Sequence, residues 1–331
     1  MVAPTCNAAN KKRRASLMAL AGIAAIWWYS LVLFVSNQLD EREANNMLRR
    51  TSSTSTDASS WLLQPDDSIY SRENWDGAPI VLEEYKLIFF TSAKVGCTVW
   101  KQLFRRIAGL KDWKAEATDK LLPWNPELNG LKYLYDYNRE TASHMMTSPE
   151  YTRAIFVREP KERFLSAYLD KAVTNSNFIR QKCCPTFGNC TETAKASLSS
   201  FFGLTQWCMN DHWKPQSRRM DPKFWSTINF VGHMDTVATD AERLLRQVGA
   251  WDKYGKTGWG IDGSLSIFTT KAGGSGRAHA TNAKDRLRLY YTPELERQVE
   301  AYYESDYANP VLNLTMVRIY TDTEEISALR A

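Results

Sequence analysis

Leu87-Ile88-Phe89-Phe90-Thr91-Ser92-Ala93-Lys94-Val95-Gly96-Cys97-Thr98-Val99-Trp100-Lys101 reads as a buried strand, a tight turn and the start of a helix. The apolar run predicts a strand over Lys86–Thr91, and the pattern after the turn predicts a helix over Cys97–Ile107. A strand-to-helix turn of this kind aims backbone amides and the positive helix end at one point, where a phosphate or sulfate oxygen would sit. Gly96 permits close backbone approach, Thr98 offers a hydroxyl and Lys94 supplies a mobile cation. The full phosphate-loop pattern G-x-x-x-x-G-K-[ST] is absent, which disfavours an ordinary ATP or GTP hydrolase. Taken alone, the turn reads equally well as a plain connection with an exposed lysine.

Two further strand candidates lie outward from it, Arg153–Val157 and Ile228–Val231, each followed by a turn and a helical pattern, at Pro160–Val173 and Asp240–Val248. Pro160 suits a first helical turn, where its missing amide hydrogen has no partner to lose. A last helix is predicted from Thr292 to about Tyr303. Strands alternating with helices from about residue 81 onward predict an α/β domain with a mainly parallel sheet. The second strand runs into Val157-Arg158-Glu159-Pro160-Lys161-Glu162-Arg163-Phe164-Leu165-Ser166-Ala167-Tyr168. Arg158 at the strand end and Ser166 two helical turns past Pro160 can hold a second phosphate together, the arginine through its planar donor fork. Two anion sites on neighbouring strands fit one nucleotide substituted at both its 5' and 3' positions.

At these residues the chain resembles the Golgi carbohydrate sulfotransferases related to the chondroitin 4-sulfotransferases and the HNK-1 sulfotransferase. Their first loop is written P-K-V-G-x-T-x-W-K, and here Ala93 replaces the proline; their second motif is V-R-E-P-x-E-R-L-x-S-A-Y, and here Phe164 replaces the leucine. The likeness continues in order through Asn210–Gln216, Phe230–Leu245, Tyr290–Leu295 and Tyr303–Tyr307, so it covers about residues 85–310. The resemblance implies an α/β fold with a central parallel sheet and flanking helices, similar to the P-loop nucleotide kinases. It also implies 3'-phosphoadenosine 5'-phosphosulfate (PAPS) as sulfuryl donor and a carbohydrate hydroxyl as acceptor; no metal is implied by any ligand cluster in the sequence.

Residue by residue, it places the 5' end of the donor on Lys94, Val95, Gly96, Cys97, Thr98 and Val99, with Lys94 stabilising the charge that develops on the leaving oxygen. Arg158 and Ser166 would hold the 3'-phosphate. The acceptor hydroxyl needs a base, and histidine is the usual choice near neutral pH. His144 precedes the Arg158 strand where related 2-O-sulfotransferases carry a catalytic histidine, and it is placed ahead of His212, which belongs to the His-Trp-x-Pro-Gln piece. The glycine-rich loop at 273–281 carries Arg277 and reads either as a cover for the nucleotide, with Arg277 touching it, or as an exposed flexible loop. Cys97 reads as a small loop residue and not as a nucleophile.

Residues 1–14 hold Lys11, Lys12, Arg13 and Arg14 and no acid, and residues 15–35 are uncharged over a length that crosses a bilayer as a helix. A basic cluster before the span keeps the N-terminus cytoplasmic, which predicts a type II signal anchor in preference to a cleaved signal peptide; the resemblance implies that the membrane is that of the Golgi. Residues 36–80, which include the Ser/Thr run at 51–60, read as a lumenal stem, and 81–331 as the catalytic domain. Without the four basic residues at 11–14, the 42 Lys and Arg fall to 38 against 37 acids, so bulk charge gives no reason to expect nucleic acid as a partner. Cys183, Cys184, Cys190 and Cys208 predict two disulfides in an oxidising compartment, the adjacent pair not bonded to each other, with a zinc site as the lesser alternative. Asn189 and Asn313 begin glycosylation tripeptides. The competing functional readings are a sulfotransferase for a lipid or small alcohol, and a membrane-tethered binding protein of the same fold.

Overall fold

The computed structural model describes residues 63–72, 77–115, 122–184, 190–269 and 281–321. The tail at 1–14, the span at 15–35, most of the stem, Asn189 and Arg277 lie outside them. Among the described residues no helix is long and apolar enough to cross a membrane.

Runs of aromatic and branched side chains that can bury both faces become strands at the centre of an α/β domain. The strands are β1 (Ile80–Leu82), β2 (Leu87–Phe90), β3 (Thr152–Val157) and β4 (Phe230–His233), in the spatial order β1-β2-β3-β4. β2 and β3 run parallel with Phe89 beside Ala154, and β3 and β4 run parallel with Phe156 beside Gly232. β1 corrects the expectation of a parallel sheet: it pairs antiparallel to β2. Only residues 83–86 join the two strands, too few for a crossover, and Lys86 closes the turn in the left-handed region at φ 45°. The stem expectation is also corrected at its end, because Leu63, Ile69, Ala78 and Ile80 are fully buried in the domain.

The two-residue period of the strands sorts their side chains onto two layers. Leu87, Phe89, Ala154, Phe156 and Phe230 face helix α1 (Cys97–Ile107) and pack with Trp100, Phe104, Leu244 and Leu245. Ile88, Phe90, Ile155 and Val157 face the other way, onto Met145 and Met146 of α2 (Arg139–Thr147) and onto Phe224 and Trp225. A third cluster, lying beyond β3, is helical. It gathers α3 (Pro160–Ala167), α4 (Ser176–Lys182), α5 (Thr191–Ala196) and α6 (Leu198–Thr205) around Phe164, Phe201 and Trp213. The helix expected through Val173 widens at Tyr168–Thr174 into a π-helical turn, in which the amide of Asn175 reaches back to the carbonyl of Asp170 at 2.9 Å. Disulfides Cys183–Cys208 and Cys184–Cys190 cross-link this layer, so the four thiols are not available to zinc. Among the described residues the remaining α-helices are α7 (Val237–Gln247), α8 (Leu287–Tyr290), α9 (Pro293–Tyr302) and α10 (Glu304–Ala308).

Gly232 is required by packing. A Cβ there would lie 2.4 Å from Cε1 of Phe156, whose ring is already held between Phe89, Trp100 and Phe230. Gly232→Ala is therefore expected to destabilise the protein by about 1–3 kcal/mol as an overpacking change. A urea unfolding midpoint equal to wild type would contradict this.

Candidate active site

The carboxyl ends of parallel strands are where open α/β sheets receive ligands. Lys94 follows β2, Arg158 follows β3 and Met234 follows β4, and all three line one cavity of about 460 Å³. Gly96, Cys97, Thr98 and Val99 come to the same cavity from the start of α1, and Ser166 from α3. Gly96 caps α1 in the left-handed region at φ 69°, no side chain caps the first turn, and that turn holds no acid. The amides at this helix end therefore face the cavity with the positive end of the helix behind them. A Cβ on Gly96 would meet the Phe268 ring at 3.1 Å, so the glycine also keeps the cavity wall close. Thr98 is oriented by Trp124, whose indole N–H donates to its hydroxyl at 3.1 Å.

Buried polar contacts between distant segments hold these elements together. Gln216 clasps the main chain of Arg158 from both sides, accepting from its amide at 3.0 Å and donating to its carbonyl at 2.8 Å. Asp306, fully buried, accepts in turn from the Gln216 amide at 2.9 Å and from the Ser217 amide at 2.7 Å. The Arg158 side chain pairs with Glu162 at 3.3 Å and reaches the carbonyl of Lys94 at 3.4 Å. Arg163, 1% exposed, donates to the carbonyls of Ala93 at 3.0 Å, Lys214 at 2.8 Å and Asp211 at 2.6 Å. Glu159 caps α3 by accepting from the Glu162 amide and also accepts from the Tyr307 hydroxyl; burial nonetheless pushes its carboxyl up to about 7.

On the cavity wall, the Lys94 ammonium lies 2.9 Å from the Asp170 carboxylate, with the two side chains 8% and 9% exposed. Burial pushes the Lys94 ammonium below its ordinary value, and the Asp170 charge opposes that shift. His212 lines the same cavity. Its Nδ1 sits 2.6 Å from Oδ1 of Asn210, an acceptor, which places the ring proton on Nδ1 and leaves the Nε2 lone pair free to take a proton. Burial, followed by the charges of Lys171 and Lys94, holds the imidazole well below its usual 6.5, so the ring is neutral at neutral pH.

Lys94, Gly96, Cys97, Thr98, Val99, Arg158, Ser166 and His212 thus come together as lining residues. Val95 does not: its side chain is buried in the core, which leaves only its backbone for the cavity. His144 does not either. It is exposed on α2 near Glu150 and is not a lining residue, because the turn spacing that buries Met145 and Met146 against the sheet turns His144 outward. Arg277 lies outside the described residues, although Thr281, just after it, donates to the Ser166 hydroxyl at 3.0 Å. Sequence reasoning missed Asp170, which follows Ser166 at the four-residue helical spacing, and also Arg163, Gln216 as a clasp, and Trp124.

Residues 79–309 match the model of the Sulfotransferase family. The chain is 25% identical over 189 residues to carbohydrate sulfotransferase 8 of Mus musculus, covering 51% of this chain and 43% of that protein. It is 27% identical over 194 residues to carbohydrate sulfotransferase 11 of Rattus norvegicus and 36% identical over 197 residues to carbohydrate sulfotransferase 10 of Danio rerio, each match covering 51% of this chain and 52% of the relative. The chain spans about half the length of the curated relatives it matches. No solved structure matches it.

The depressed His212 value has a stability consequence. In the unfolded chain the imidazole binds a proton near its usual 6.5, whereas the folded state resists it to well below that pH. Over that interval the unfolded state holds more protons, so the stability contribution is present above 6.5 and is lost as pH falls below it. Relative to His212→Gln, wild type is expected to lose unfolding free energy between about pH 8 and about pH 5. A difference that stays constant across that range in urea titrations would contradict this.

Proposed function

The chain belongs to the Sulfotransferase family, whose model spans residues 79–309, and on that premise we propose that it transfers a sulfuryl group from PAPS to a hydroxyl of a carbohydrate. The observation that carries this reading is the meeting of two cation-bearing strand ends at one cavity, with the Arg158 guanidinium 3.4 Å from the Lys94 carbonyl. That arrangement fits a ligand with one anionic group at each end, and a nucleotide bearing a 5'-phosphosulfate and a 3'-phosphate is such a ligand.

Sulfuryl transfer, like phosphoryl transfer, needs in-line alignment and charge neutralisation more than covalent help from the protein. Amides at the start of α1 and the Thr98 hydroxyl hold the 5' end. Arg158 and Ser166 hold the 3'-phosphate, and Lys94 stabilises the oxygen that leaves. His212, neutral and with Nε2 unprotonated, takes the proton of the acceptor hydroxyl as the new oxygen–sulfur bond forms and the old one breaks to release the bisphosphate. With His144 turned outward, His212 is, among the described histidines, the one that lines the cavity and fits the base role.

The carbohydrate acceptor is supported by the names of the relatives, and the sulfonucleotide by the family and the two anion sites. A Golgi location with the domain in the lumen is supported by the basic cluster before the uncharged segment at 15–35, by the two disulfides, and by the exposed Asn313 tripeptide. The test is transfer of labelled sulfate from PAPS by the full chain to a panel of glycans. Lys94→Ala is expected to lower turnover by at least about 10²-fold, the scale of one lost charge-stabilising donor, with unchanged circular dichroism. Wild-type turnover in that variant would remove the assignment.

A further inference from the structure

We propose that Asp170 is a positioning residue that parks the Lys94 ammonium before the donor binds and releases it to the donor's 5' end. The proposal rests on the donor reading above and adds a part that the two anion sites do not contain.

Two cations and one carboxylate converge here under almost complete burial. Asp170 Oδ2 lies 2.9 Å from Lys94 Nζ and 3.2 Å from Lys171 Nζ, and the Lys171 side chain is 15% exposed. A carboxylate this buried could not give up one partner and stand alone, since an unpaired buried charge is strongly destabilising. Lys171 removes that obstacle, because Asp170 remains compensated when Lys94 leaves.

The geometry also confines the movement to one side chain. The Lys94 backbone is held in the left-handed region at φ 67°, and its carbonyl accepts from Arg158 at 3.4 Å. Asp170 is held on the π-helical turn, where its carbonyl accepts from Asn175 at 2.9 Å. The long, flexible lysine stem is left to swing between the carboxylate and the cavity. Asp170 lies four residues after Ser166, and both line the cavity, so one helical face supplies the 3' hydroxyl contact and the carboxylate that holds the 5' cation.

The exchange gives the site a selectivity that bare cations would lack. A small anion such as free sulfate must break the Lys94–Asp170 pair with no compensating contact at Arg158 and Ser166. A ligand anchored at both ends has that compensation.

The test is calorimetric titration of the full chain with adenosine 3',5'-bisphosphate and with inorganic sulfate. Asp170→Asn is expected to tighten the bisphosphate by about tenfold, the size of a typical contact coupling, and to raise sulfate affinity as well. In a Lys94→Ala background the same change should move the bisphosphate affinity by no more than about twofold. Asp170→Glu, which keeps the charge, should restore an affinity near wild type. Equal tightening with and without Lys94 would mean that Asp170 acts only through its field, and unchanged or weaker binding in Asp170→Asn would mean that it parks nothing; either result overturns the proposal. If Asp170→Asn does not fold, Asp170→Ser serves in the same comparison. Failure of the wild-type chain to bind the bisphosphate at all would instead remove the donor reading, and the parking role with it.

Discussion

One buried guanidinium determines where the site can form. Arg163 reaches from the inner side of α3 to the carbonyl of Ala93 in the loop after β2 and to the carbonyls of Asp211 and Lys214, which flank the His212 segment. These three stretches are far apart in sequence and share no regular hydrogen-bond ladder. A planar fork with five donors can satisfy them together, which a lysine at the same position could not. The turn carrying Lys94, the helix carrying Ser166 and the loop carrying His212 are therefore fixed to each other through main-chain atoms, independently of what their side chains contact.

Other charges under the cavity follow the same logic. Arg158 is balanced by Glu162, Lys94 by Asp170, and Lys161, with no exposed side-chain surface, by Glu296 and Glu300 at 2.7 Å each. Glu296 also accepts from the amides of Ile319 and Tyr320, which fastens the C-terminal end of the described chain to α9. Cations gathered around one cavity must be kept compensated when nothing is bound. Carboxylates on nearby helical turns provide that compensation at short range, without which each buried cation would be strongly destabilising.

Much of this was legible in the sequence, for identifiable reasons. The helix at Cys97–Ile107 was readable to the residue because Gly96 and the apolar spacing mark its start, and β2 and β3 because their runs are apolar on both faces. The residues that meet at the cavity were readable because each sits at the end of such a strand or one helical face further on. β1 was not, since a three-residue strand has too little pattern to separate it from a polar stem. That His212 and not His144 lines the cavity depends on which face of a helix meets the sheet, a tertiary fact. Arg163 and Asp170 looked like ordinary helical charges, because their partners lie 70 and 76 residues away.

The neighbouring cysteines carry a consequence for how the chain is made. Cys190 is six residues from Cys184 and Cys208 is 25 from Cys183, so during synthesis the short loop is available for closure before the long one. Either of two adjacent thiols is within reach of Cys190, but only closure with Cys184 leaves Cys183 for Cys208. Cys208 then offers its carbonyl to the indole of Trp213, the residue next to His212, at 2.7 Å. Maturation thus turns on a choice between two sulfurs, because pairing Cys190 with Cys183 would leave Cys184 in place of Cys183 for Cys208 and so change the tether of the histidine-bearing loop.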